Sequence, residues 1–79
     1  MRGKGVVERA FQKALGKRLA AMRHALSLSQ SAIHRRTSLS IEYISRAENG
    51  HENPTVLALR NWAQEGLNVS LSKLFKGIR

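Results

Sequence analysis

Four hydroxyl residues divide this chain. Ser29, Ser40, Thr55 and Ser70 each stand immediately before a short stretch that carries helical apolar spacing. A Ser or Thr at that place caps a helix, because its oxygen accepts a backbone N–H that no earlier carbonyl can reach. The four caps predict helices over Gln30 to about Thr37, Ile41 to Asn49, Val56 to Gln64, and Leu71 to Phe75. Gly50 follows the second of these as a stop with φ above zero. Upstream, Phe11, Leu15, Leu19, Met22 and Leu26 recur at spacings of three and four, which predicts a long first helix over Val6 to Leu26. Arg9, Lys13 and Lys17 fall on its other side. Nowhere does a β-branched stretch alternate with period two, so no strand is predicted. The expected fold is all-α: one compact bundle of five helices over residues 6–79, preceded by a flexible basic tail, Met1 to Gly5.

Composition narrows the partners. With 79 residues the chain is one domain. It has no cysteine, which removes disulfides and thiolate zinc sites. No run of about 18 apolar residues is present, so no membrane contact by a spanning helix is expected. Met1 to Gly5 lacks the apolar stretch of a signal peptide, which makes a cytoplasmic location the expectation. Fourteen Lys and Arg against five acids give a net charge of +9, an excess that favours polyanionic partners, nucleic acid first and anionic membrane second. His24, His34 and His51 share no face at ligand spacing, so no metal is expected. Neither a nucleophile with its base nor a carboxylate cluster supports catalysis, so the chain reads as no enzyme, and no cofactor is implied.

The segment Gln30 to Gly50 carries the functional signal. Two short helices joined by a three- to four-residue turn have the spacing of a helix-turn-helix. At 100° per residue, Ile44, Ala47 and Glu48 point one way along the second helix, and Glu42, Arg46 and Asn49 point the other. Taken alone, Glu42 and Arg46 read as an ordinary i, i+4 surface pair. In a major groove the same residues have base-reading chemistry: Arg46 can bond guanine O6 and N7, and Glu42 can accept from cytosine N4. Ser40, Ile41 and Ser45 flank them.

The strings L-S-Q-S-A-I, L-S-I-E-Y-I-S-R-A-E-N-G and N-P-T-V resemble the lambda-repressor/Cro-like (Xre) family of helix-turn-helix regulators, from about Leu15 to Phe75. The resemblance implies double-stranded DNA as partner and a recognition role for the third helix. It implies base reading by Ser40, Ile41, Glu42 and Arg46, with Ser45 beside them. Gln30, Tyr43 and Asn49 take backbone-contact positions, and Arg23 and Glu48 match a pair that bridges helices one and three. Lys13, Lys17, Arg35 and Arg36 add phosphate attraction. Useful specificity from one short helix implies a homodimer on a near-palindromic operator, with Leu71, Leu74, Phe75 and Ile78 as the candidate interface, although Leu71, Leu74 and Phe75 also suit the core and Ile78 also suits a loose tail. A repressor is the simplest effect. An antitoxin-type interaction module and a nonspecific nucleic-acid binder are the alternatives.

The sequence departs from the family pattern in several places. Ser27 and Ser38 replace the usual glycines, His34 replaces a small alanine, and His51 and Glu52 replace basic loop residues. The stretch Gln64 to Val69 is one residue longer than usual.

Overall fold

The structure, a computed structural model, describes the backbone of residues 3–78 and the side chains of residues 8–78. Five α-helices follow in order: α1 Gly3–Ala25, α2 Gln30–Thr37, α3 Ile41–Glu48, α4 Val56–Asn61 and α5 Leu71–Phe75, with a π-helical turn, Trp62–Gly66, between the last two. No strand occurs among the described residues. All four hydroxyl caps form. Ser29, Ser40, Thr55 and Ser70 accept the backbone N–H of Ala32, Tyr43, Ala58 and Lys73, each at 3.0–3.1 Å. Each such cap contributes about 1 kcal/mol, and together they set four helix starts independently of tertiary packing.

Helix α1 starts earlier than its apolar pattern indicates. Residues 3–5 extend it instead of forming a separate tail; no proline or cap intervenes before Val6, and propagation is cheap once a helix exists. The tail reading for Met1 and Arg2 lies outside the described residues. The predicted apolar stripe is buried only in its middle. Leu15 and Leu19 are core residues, whereas Phe11 and Leu26 are exposed. The helices that cover α1, chiefly α3 and α5, pack against its central part.

Ten apolar side chains form one core: Leu15, Leu19, Ile33, Ile44, Ala47, Leu59, Trp62, Ala63, Leu67 and Leu74. Burial of each large one contributes roughly 1.5–3 kcal/mol. Trp62, Leu59 and Ala63 share the inward face. Val56 does not join them: it is 69% exposed, because α4 meets the body only past its first turn.

The turns after α1 and α2 take the backbone that glycine would favour. Ser27 has φ 57° and Ser38 has φ 67°. Ser27 sits where the Leu28 N–H reaches Arg23 O and its own N–H reaches His24 O, a pairing that closes the end of α1. Ser38 donates to His34 O at 2.8 Å. A serine held there costs on the order of 1 kcal/mol. Around Ser38 the neighbourhood offsets it: Thr37 Oγ1 donates to Ile33 O and accepts from the Leu39 N–H, and Asn61 Nδ2 donates to Thr37 O. His34 leaves the helix interface for the surface, where Nδ1 donates to Leu39 O at 2.7 Å.

A π turn carries the chain on from α4. Regular α-helix stops at Asn61, short of the predicted Gln64, and the Leu67 N–H reaches back five residues to Trp62 O at 2.9 Å. This wider ring accommodates one extra residue without breaking the helical path. It also carries Leu67, which the sequence places in a connection, into the core at 1% exposure.

Gly16 sets the approach of α1 to α3. A Cβ there would lie 2.5 Å from Ala47 O and 2.6 Å from Glu48 O. Gly16→Ala should therefore destabilise the fold by about 1–3 kcal/mol, the cost of overpacking, although an exposed helical Gly→Ala is normally stabilising. Urea unfolding followed by circular dichroism checks this; a stabilised variant would contradict the close contact.

Candidate nucleic-acid interface

Helix α3 has one face anchored and the other open. Ile44 is 0% exposed and Ala47 2%. Between them and the C-terminus, Glu48 turns inward to Arg23 of α1. The pair is bidentate: Arg23 Nε to Glu48 Oε2 and Arg23 Nη2 to Glu48 Oε1 are each 2.8 Å. Arg23 Nη1 donates further to Leu28 O at 2.9 Å. Gln30 Nε2 donates to Glu48 Oε1 at 3.0 Å. The hydrogen bonds and charge of Glu48 hold the Arg23 guanidinium more firmly protonated than usual, against the opposing effect of burial. One carboxylate thus ties together α1, the α1–α2 turn, the start of α2 and the end of α3.

The outward side carries the residues assigned to base reading. Ser40, Ile41, Glu42 and Arg46 are exposed, and Ser45 is half-buried. Ser40 Oγ is occupied as an acceptor by the Tyr43 N–H, which leaves its O–H free to donate. Arg46 is not paired with Glu42. Its Nε donates to Glu52 Oε1 at 3.2 Å and its Nη2 to His51 O at 2.9 Å. The i, i+4 surface pair expected on helical spacing is therefore replaced by a contact to the following loop.

That loop leaves α3 through a tight reversal. Gly50 has φ 78°; its N–H reaches Ala47 O, and the His51 N–H reaches Arg46 O at 2.8 Å. A Cβ on Gly50 would also approach Lys13 Cγ and Cα at 3.0 and 3.1 Å, so the reversal is pressed against α1. Beside it, Arg9, Gln12, Lys13, Asn49, Gly50 and His51 line an open cleft of about 430 Å³. Its basic rim lies at the C-terminal end of α3. Asn49 is exposed and donates from Nδ2 to Ser45 O at 2.8 Å, keeping one amide N–H and its oxygen for other partners.

The remaining cations sort into two groups. Lys13, Lys17 and Arg35 are exposed and make no ion pair or hydrogen bond among the described residues. Lys13 is at the cleft beside α3, whereas Lys17 lines a different one with Arg18, Lys76 and Ile78. Arg36 is committed to the fold, since its Nη1 donates to Gly66 O at 2.9 Å and closes the π turn. Gln30 likewise spends an N–H on Glu48. Sequence reasoning placed both at phosphate; the structure gives each an internal partner that only tertiary packing creates. Arg18 serves the C-terminus of α5 in the same way, donating to Lys73 O and Leu74 O.

Residues 14–74 match the helix-turn-helix domain family. The chain belongs to that family. This helix-turn-helix protein is 37% identical over 60 residues to an uncharacterized HTH-type transcriptional regulator, y4dJ, of Sinorhizobium fredii, an alignment that covers 76% of this chain and 77% of the relative. No solved structure matches it. Among the described residues there is no group of three or more potential metal ligands, and no helix is long and apolar enough to cross a membrane.

Tyr43, in the first turn of α3, senses the loop that follows the helix. Burial raises its pKa above the ordinary phenol value of 10.0, the nearby Glu52 charge raises it further, and a hydrogen bond with the Thr55 backbone opposes them. The native state then holds the proton longer than the unfolded chain does. Its contribution to stability is full below the ordinary value and is lost as pH rises through the native one. Since the chain has one tyrosine, alkaline titration of its ultraviolet absorbance should give a single midpoint above 10, which Glu52→Gln lowers. An unchanged midpoint in that variant would separate Tyr43 from Glu52.

Proposed function

We propose that this protein is a sequence-specific, double-stranded DNA-binding regulator of transcription, of the lambda-repressor/Cro-like (Xre) type, acting as a homodimeric repressor. The observation that carries this reading is the two-sidedness of α3. Its inner face is fixed by Ile44, Ala47 and the Arg23–Glu48 pair, while Glu42 and Arg46 stand open on the other side and Ser40 and Ile41 are exposed at the helix start. Membership of the helix-turn-helix family, the transcriptional-regulator name of the relative and the net charge of +9 support it.

Recognition then works in two layers. Lys13, Lys17, Arg35, Tyr43 and Asn49 contact phosphates, with Gln30 and Arg36 contributing only the donors their internal bonds leave over. Arg46 addresses guanine, Glu42 accepts from cytosine N4, and Ile41 meets a thymine methyl; Ser40 and Ser45 add hydroxyl contacts. Occlusion of a promoter gives repression without a further domain.

The interface between copies requires revision. Leu74 is 0% exposed and belongs to this chain's own core, so it is unavailable to a second subunit. Leu71, Phe75 and Ile78 are half-buried against that core and keep an accessible side. A second reading draws on Val56 and Leu57, adjacent apolar residues exposed at 69% and 75%. They favour a protein contact on α4, which suits an antitoxin-type module as well as a second copy.

Selection from a random DNA library, followed by sizing of the complex, tests the proposal. It predicts enrichment of a near-palindrome with half-sites about one helical turn, roughly 34 Å, apart and two chains per site. Arg46→Ala should cost about 1–3 kcal/mol and flatten preference at one base position. Lys17→Ala should weaken all sites alike and lower the salt slope by about one. An unenriched library removes the sequence-specific reading; an unchanged slope places Lys17 away from DNA.

A further inference from the structure

We propose that Glu52 is a positioning residue for Arg46: from the loop after α3 it holds one edge of the guanidinium, so that the opposite donors are presented in a fixed direction to a base edge. This rests on the reading of α3 as the recognition helix. An arginine offers five N–H donors in a rigid plane. Two are occupied here, the Nε donor by Glu52 Oε1 and one Nη2 donor by His51 O. Both donors of Nη1 and one of Nη2 remain open, which is the set a guanine O6 and N7 require.

The loop that carries Glu52 is itself held. Gln12 Nε2 of α1 donates to Glu52 O at 3.3 Å, the His51 N–H is bonded to Arg46 O, and Gly50 is buried against Lys13. The carboxylate therefore stands on a fixed mount. The pair is too exposed to matter much for folding, with 55% of the Arg46 side chain and 32% of the Glu52 side chain accessible, and pairs of this kind add little stability. Its consequence is geometric. An unrestrained arginine surrenders rotamer freedom on binding, and Glu52 removes part of that freedom beforehand. It also keeps Arg46 from closing onto Glu42, leaving both residues of α3 turned outward. The carboxylate has an opposing effect on nearby phosphates, which it repels. Glu52 thus trades general attraction for discrimination.

The experiment uses the full chain as wild type, Glu52→Gln, Arg46→Ala and the double variant. Library selection on the wild type first gives the operator, and Arg46→Ala identifies the base position that Arg46 reads. Glu52→Gln is expected to keep its melting temperature, to bind random-sequence DNA as tightly as wild type or tighter, and to lose roughly three- to tenfold of the discrimination at that position. In the Arg46→Ala background it should change discrimination no further. Should Glu52→Gln fold poorly, Glu52→Asp supplies the same test: it keeps the charge but sets the carboxylate back by one methylene, and should lose preference at the same position. A Glu52→Gln protein with the wild-type preference profile overturns the proposal while leaving the recognition role of α3 intact. So does one that binds the operator more tightly with equal or sharper preference, since Glu52 would then be withholding Arg46 from DNA. Under Glu52→Asp, an unchanged preference overturns it. A wild type that enriches no sequence overturns the reading beneath it.

Discussion

The buried Arg23–Glu48 pair is the contact on which the geometry of α3 depends. Taking two charges out of water is expensive, and their attraction offsets that cost only with good geometry and further hydrogen bonds. Here both conditions hold: two N–O distances of 2.8 Å, a third donor to Leu28 O, and Gln30 on the carboxylate's own oxygen. Loss of either partner would strand the other, at a cost of about 3–5 kcal/mol. The pair fixes both the distance from α1 to α3 and the rotation of α3 about its own axis. With Glu48, Ile44 and Ala47 turned inward, Glu42 and Arg46, about 120° and 160° from Glu48 around the helix, face out.

Glycine completes what the ion pair begins. Gly16 lets two helix backbones meet where any side chain would strike Ala47 O, and Gly50 reverses the chain directly against Lys13. Serine at Ser27 and Ser38 does the opposite, accepting positive φ at some cost in the turns that flank α2. The fold tolerates this because its neighbours over-determine the backbone. Thr37 and Asn61 hold the second turn, and Arg23 itself binds the first through Leu28 O and its own carbonyl. One arginine thus serves α3 and the α1–α2 turn together.

The parts of this structure that sequence makes legible are local. A hydroxyl cap acts over three residues, so Ser29, Ser40, Thr55 and Ser70 mark their helix starts without any knowledge of the fold. The inward set of α3 follows from helical period, and Arg23 with Glu48 follows from the family resemblance. What stays hidden depends on contacts distant in the chain. The fate of Gln30 and Arg36 is decided by Glu48 and Gly66, 18 and 30 residues away. Leu74 and Val56 have equal hydropathic claims to the core, and only the docking of their helices separates them. The π turn before α5, and the burial of Leu67 that goes with it, is a packing outcome with no local signal in the sequence. Arg46 had a correctly spaced partner in Glu42 and took Glu52 instead, because the reversal at Gly50 brings the loop back over the helix.

Charge illustrates why a net value is a poor guide to a contact list. Of the fourteen basic residues, Arg18, Arg23, Arg36 and Arg46 each have guanidinium donors bonded within the chain. Three of them brace helix ends or the core. Their charges still add to the long-range field that draws a polyanion in, yet the donors already bonded cannot be spent twice. Long-range attraction is therefore set by the whole excess of +9, whereas the exposed side chains of Lys13, Lys17 and Arg35 make no ion pair or hydrogen bond among the described residues. Arg46 stands between the two: it is tied on one edge and open on the other, so the fold supplies its direction and leaves both Nη1 donors and one of Nη2 free.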